Sequence, residues 1–403
     1  MFTQRPASNR ETGGKPDRVY GLRTATEVVP RAWRPPSEAP RAFSHPPGSL
    51  IDRRDFLKKG LGAGTLAVSA PRLSTAQETA RTHRIYPDGF SDQFAASQEP
   101  VLRIRSGDTV ETRTLDASGR DYQGVAHVPH PFDFPELSNA LTGPFYVEGA
   151  VYGDALEVHL ARLRLNRNWG YTNYRLMPFV LNPATTEGLY KNFYKPDAVW
   201  AGRDNLIPWD LDLERGIAKP RLLQSSGMRF EIPVRPMLGC IGVAAPGDNS
   251  GPADISGSWG GNMDYNDVVE GATLRFPVYH QGAYFYVGDG HALQGDGEGL
   301  GMGIETSMDV QFTVKVLKGR RLSMPRLLNA THLISIASQP EWHSNLDRGL
   351  QDANSDMIRW LTEEYGLTLP EAHLLLGTVV QHKVVTYSGS AVTMVERKYL
   401  PLR

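Results

Sequence analysis

A single cysteine, Cys240, stands in a chain of 403 residues, so no disulfide can form within it, and either redox compartment is compatible with that. No apolar run reaches the ~20 residues that a membrane-spanning helix needs. A formal net charge of -1 gives no excess of either sign to suggest a nucleic-acid or anionic-membrane partner. Neither a Gly-x-Ser-x-Gly elbow nor a Ser-x-x-Lys pair occurs, which disfavours chemistry on a serine nucleophile. Tandem repeats are absent too.

Glycine and proline are plentiful, at 40 and 29 residues. Turns must therefore be frequent, which favours many short strands over long helices. Apolar residues at 40% and charged ones at 22% are the proportions of a soluble globular protein.

Residues 1–50 are rich in Pro, Arg, Ser and Gly with almost no apolar periodicity, and read as a disordered or non-native extension. Asp52-Arg53-Arg54-Asp55-Phe56-Leu57-Lys58-Lys59 follows, then a mild apolar stretch from Leu61 to Ala70. Residues 51–76 thus look like a twin-arginine export signal, cleaved after Ala76 or Ala70, with a short basic amphipathic helix as the alternative. The expected partner is the export machinery, and the expected location is the periplasm or the outside.

Over 77–320, short alternating apolar runs separate at turn signals. Thr109 to Leu115, Leu156 to Leu160 and Val310 to Val316 read as strands, and Phe276–Tyr279 with Tyr284–Val287 read as strands flanking a turn at Gln281-Gly282. The composition predicts a mainly β sandwich or barrel-like body. Residues 321–403 read as an α+β portion. Leu350, Met357, Ile358, Leu361 and Tyr365 fall near helical spacing over Leu346–Tyr365, with Gly366 to stop the helix. Thr368 as N-cap, Pro370 in the first turn and Glu371 as capping-box partner predict a second helix to Val380.

Chemistry concentrates between Gly260 and Asp309. Gly288-Asp289-Gly290-His291 and Gly295-Asp296-Gly297-Glu298-Gly299 alternate glycine with an ionisable residue. If extended, each run puts its ionisable residues on one face, and so many glycines suit a close approach of backbone or ligand. Carboxylates and an imidazole so crowded must be protonated, solvated or neutralised by a cation. A divalent cation is the simplest answer, with Asp289 and His291 as ligands and Asp264 as a further ligand or an orienting group. A solvated, inert glycine-rich loop is the alternative. An EF-hand is disfavoured because His291 and Leu293 stand where two of its ligands belong. Glu148 and Glu305 are acidic residues inside apolar strands, where an unpaired charge is costly, so both are expected to have a functional partner at the pocket. Cys240, flanked by apolar residues, reads as core. His127, His130, His332 and His343 read as hydrogen-bonded or surface residues.

Gly260-Gly261-Asn262-Met263-Asp264, Glu270-Gly271-Ala272-Thr273-Leu274 and the run from Gly288 to Glu298 resemble the acetamidase/formamidase family. So do Leu141-Thr142-Gly143-Pro144, Tyr146-Val147-Glu148-Gly149-Ala150 and Ile241-Gly242-Val243-Ala244-Ala245-Pro246. Asn168-Trp169-Gly170-Tyr171-Thr172 is similar to a block of the acetamidase branch. The resemblance implies a β-rich fold with a metal in the site, zinc first and calcium or another ion second, and hydrolysis of short linear amides to acid and ammonia. Asp116 resembles the family's early acidic position and would join Asp264, Asp289 and His291 as a ligand. Glu298 is the candidate general base with Asp296 in reserve, Asn262 a candidate oxyanion donor, and Trp169 and Tyr171 candidate walls of a small-amide pocket. The rival readings are a non-catalytic, metal-stabilised β protein that binds a ligand, and a thiol amidase using Cys240. Self-association is left open.

Overall fold

The computed structural model describes residues 79–127, 139–173, 176–177, 180–181, 206–221, 230–248, 250–338, 345–387 and 389–401. The extension 1–50, the twin-arginine segment 51–76, His130 and His343 lie outside them. The described residues fall in one compact unit, Thr75–Arg403.

Alternation of apolar and polar residues builds two facing sheets. In Met308–Leu317, Met308, Val310, Phe312 and Val314 are buried while Asp309, Gln311 and Thr313 are partly open, as a period of two requires of a strand with one covered face. That strand lies between Thr109–Thr114 and Ala155–Leu165 in a nine-stranded sheet. Phe276 and Phe312 of this sheet meet Phe285 of the second at centroid distances of 6.2 and 5.0 Å. This cluster marks the middle of the sandwich core.

The second sheet has eleven strands, and Phe285–His291 runs through its centre. One edge of that strand pairs with Met237–Gly242; the other pairs with Leu141–Val147 near its start and Glu305–Thr306 near its end. All seven of its residues are buried. The expected pairing of Phe276–Tyr279 with Tyr284–Val287 does not occur: Thr273–Pro277 belongs to the first sheet, and the chain crosses the sandwich between them. Two consecutive left-handed residues, Ala283 (φ 57) and Tyr284 (φ 54), redirect it.

The fold is thus mainly β with a C-terminal helical part, as the sequence predicts. Helix α1, Leu346–Tyr365, ends at Gly366 with φ 70, a left-handed cap that glycine adopts without strain. Helix α2, Leu369–Val379, opens on Thr368, whose backbone N–H donates to Glu371 at 2.7 Å. The C-terminal strands His332–Ala337, Ser390–Glu396 and Gln381–Thr386 continue the nine-stranded sheet. Met357, Trp360 and Leu361 of α1 pack on Leu333 and Val395 of those strands. Beneath α1, buried Arg326 grips buried Asp356 through two hydrogen bonds of 2.8 and 3.0 Å.

Candidate metal centre

Asp289 and His291 sit on the central strand Phe285–His291, and Asp264 enters from the turn after Gly260–Asn262. Asp264, Asp289 and His291 are all buried, with one ligating atom of each within 4.8 Å of the others. Glu305, on the neighbouring strand, brings Oε1 to 3.1 Å from His291 Nε2, and Asp289 Oδ1 lies 3.3 Å from the same nitrogen. Asp264 Oδ1, Asp289 Oδ1, His291 Nε2 and Glu305 Oε2 are buried without a hydrogen-bond partner among the described residues. Asp264, Asp289 and His291, each with an orphaned atom and grouped within ligating reach of one another, offer two carboxylates and an imidazole, a donor set that suits a divalent cation.

Two glycines make room. A Cβ at Gly239 would collide with the carboxylates of Asp264 and Asp289, and one at Gly303 would collide with the ring of His291. Asp264 (φ 47), Asp289 (φ 54) and Glu298 (φ 49) also hold left-handed backbones, with Ala283 and Tyr284 the other non-glycine cases among the described residues. Such conformations cost about 1–3 kcal/mol each and collect where a site over-determines them.

The electrostatics agree. Burial, then the charge of Asp289, lifts Asp264 to about 7. Burial likewise holds Glu305 well above the usual carboxylate range, with Asp289 adding to it, and burial then Asp264 do so for Glu298. Burial pushes His291 down, but the Glu305 and Asp289 carboxylates outweigh it and keep the imidazole raised. These side chains resist carrying their charges together unless a cation sits among them.

Gln294, which the sequence reading did not single out, orders the centre. Its Nε2 donates to the Asp264 carbonyl at 2.5 Å, so its Oε1, 2.8 Å from His291 Nδ1, accepts the proton there. With Nδ1 so held, Nε2 is the ring nitrogen that faces the carboxylates and would bind a metal once it gives up its proton. The residue lies three positions after His291, but an amide carries no charge and left no signal beyond its place in the motif.

Beside the centre is a cavity of about 170 Å³ lined by Asn262, Asp289, Glu298 and Glu305, with Asn139 and Met302. Its volume is below the ~300 Å³ at which pockets for drug-sized ligands begin, so it suits a very small molecule. Glu298 reaches it from a turn, half-buried. Asn262 Oδ1 is taken by Asn139 Nδ2 and by the Cys240 thiol, each at 3.1 Å. No described residue accepts from the Asn262 Nδ2, which leaves its N–H groups available at the cavity wall. Cys240 is buried, and burial with the nearby Asp289 and Asp264 charges pushes its thiol up, the reverse of an activated nucleophile.

Several expected site residues lie elsewhere. Asp116 is buried, but its carboxylate accepts from Arg167 at 2.6 Å, Ser118 at 2.8 Å and the Arg120 N–H at 2.9 Å, which satisfies its charge without a metal. Glu148 is exposed, one residue past its strand, and pairs with Arg105 at 2.9 Å. Asp296 points outward to Lys383 and Asn266, each at 2.9 Å. The loop 295–299 turns on either side of an isolated bridge from Gly297 to Thr386 and forms no strand, and Asp296 is exposed while Glu298 reaches the cavity. Trp169 stacks on the Arg167 guanidinium at 3.4 Å, and Tyr171 packs with Leu206 and Met302 behind Glu305. Neither lines the cavity. Glu305, expected at the substrate, does line the cavity and also stands against the imidazole.

The model of the Acetamidase/Formamidase family matches residues 254–387, a range that contains Asp264, Asp289, His291, Glu298 and Glu305. The structure is similar to an acetamidase from Bacillus halodurans, with 26% identity, a TM-score of 0.62 and coverage of 78% of this chain and 98% of that one. A predicted acetamidase/formamidase from Thermoanaerobacter tengcongensis gives 27%, 0.63, 79% and 97%. An acetamidase from Yersinia enterocolitica, at 23% identity and a TM-score of 0.63 over 81% of this chain and 95% of that one, shares the fold. No curated protein matches the chain significantly.

Proposed function

We propose that this chain is a metal-dependent amidohydrolase that cleaves short linear amides, of the formamide and acetamide type, to a carboxylic acid and ammonia. The family match over residues 254–387 and the acetamidase structures support an amide-hydrolysing function. The observation that supports the metal dependence is the buried grouping of Asp264, Asp289 and His291, each with an unpartnered polar atom.

An amide is a poor electrophile with a poor leaving group. Its hydrolysis needs an activated water, a stabilised oxyanion and a proton for the departing nitrogen. Asp264, Asp289 and His291, with Glu305 beside them, would hold a divalent ion, which would supply Lewis acidity and lower the pKa of water. Glu298 takes the water proton as the new C–O bond forms and returns it to nitrogen as C–N breaks. The Asn262 amide donates to the developing oxyanion.

The test is ammonia release from formamide, acetamide and propionamide by metal-loaded protein, lost on chelation and restored by one divalent ion. Bound metal without turnover would favour a non-catalytic, metal-stabilised binding protein instead. Full activity in Cys240→Ala would dismiss a thiol mechanism. We further propose that Arg53-Arg54 directs export; two lysines there should abolish extracytoplasmic accumulation in the native host.

A further inference from the structure

On the far side of Glu298 and Met302 lies a second cavity of about 390 Å³, which shares both residues with the small acidic one. Its other walls are mostly apolar, among them Trp209, Ile232, Leu293 and Ile304. These side chains belong to one packed cluster carried by the strand Ile207–Asp212, its neighbours and the residues that flank the site. The volume lies within the ~300–1,000 Å³ typical of small-molecule pockets. The space is open to solvent, so an apolar group that filled it would take these walls out of water. Formamide and acetamide would leave it unused.

We propose that this chamber receives the acyl chain of the substrate, so that the preferred amides carry an apolar acyl group longer than acetyl. The inference rests on the amidohydrolase reading above. The carboxamide head occupies the acidic cavity, against Glu298 and Asn262, and the chain passes Met302 into the chamber. Met302 is suited to that boundary because an unbranched thioether side chain adapts to what lies against it. Each methylene that leaves water for the chamber should raise kcat/KM about fourfold until the space is filled.

The experiment measures kcat/KM of metal-loaded protein for formamide, acetamide, propionamide, butyramide and hexanamide, with ammonia as the readout. A rise along the series supports the proposal. A maximum at formamide or acetamide, followed by a fall, overturns it and leaves the amidohydrolase reading intact. Absence of ammonia from every amide overturns both. Ile232→Trp, which fills the chamber, should lower the hexanamide-to-acetamide ratio at least tenfold. Leu293→Ala, which enlarges it, should move the optimum towards longer chains and serves if the tryptophan variant does not fold. An unchanged ratio in a folded variant counts against the acyl site.

Discussion

His291 Nδ1 lies 2.8 Å from Oε1 of Gln294, whose other amide atom reaches the Asp264 carbonyl at 2.5 Å. One uncharged side chain therefore clamps an imidazole and the backbone of a carboxylate residue contributed by another part of the chain. Gln294→Ala should weaken divalent-metal affinity about 10–100-fold, the usual effect of losing an orienting partner. Gln294→Glu keeps an acceptor for Nδ1 but loses the donor to Asp264, so it should recover only part of that loss. Competition titration against a chelator checks both, and parental affinity in the alanine variant would refute the clamp.

Glu298→Gln should cut amide hydrolysis by about 10²–10⁴-fold, the range for a general acid–base group. Its carboxylate is outside the Asp264–Asp289–His291 group, so metal content should stay at the parental level. Elemental analysis beside an ammonia assay separates these outcomes; joint loss of metal and turnover would make Glu298 a ligand.

The metal-free protein should grow less stable as pH rises. Asp264 stands at about 7 against an ordinary 3.8, so folding favours its protonated form. That stabilisation is whole below about pH 4 and lost as pH climbs through 7, a change on the order of 4 kcal/mol. Glu298, Glu305 and His291 are raised as well and act in the same sense. Chelated protein should therefore melt at lower temperature at pH 8 than at pH 5. Added metal should flatten or invert the trend, because binding draws protons off its ligands. Thermal melts at the two pH values, with and without metal, decide it.

Asp356→Ala should destabilise the fold by about 3–5 kcal/mol, because it strands the buried Arg326 guanidinium without its two-pronged partner. Denaturant unfolding measures the loss. Metal stoichiometry in the folded fraction should not change.

Local signals were readable before any coordinates. Thr368, Pro370 and Glu371 announce α2 because cap, first-turn proline and capping partner all act within one helical turn. The acids at 264, 289 and 298 and the imidazole at 291 were visible because close spacing of charges demands a physical account. Asp116 misled because Arg167, which neutralises it, is 51 residues away in sequence. Glu148 misled because its strand stops one residue earlier, at Val147. Asp296 followed the assumption that alternation means extension, whereas turns at 295–299 send it outward to Lys383. The small residues Gly239 and Gly303 carry no chemistry of their own, and only three-dimensional crowding shows what they make possible.

Lys383, on the strand Gln381–Thr386, holds Asp296, and the Tyr387 backbone N–H donates to the Gly297 carbonyl at 2.9 Å. The turn that presents Glu298 is thus braced by an edge strand of the nine-stranded sheet, although Asp289 and His291 lie on the other sheet. A chain in which the aspartates and the imidazole had met before the two sheets closed on each other would lack that brace, so Glu298 should settle only once the sandwich is assembled.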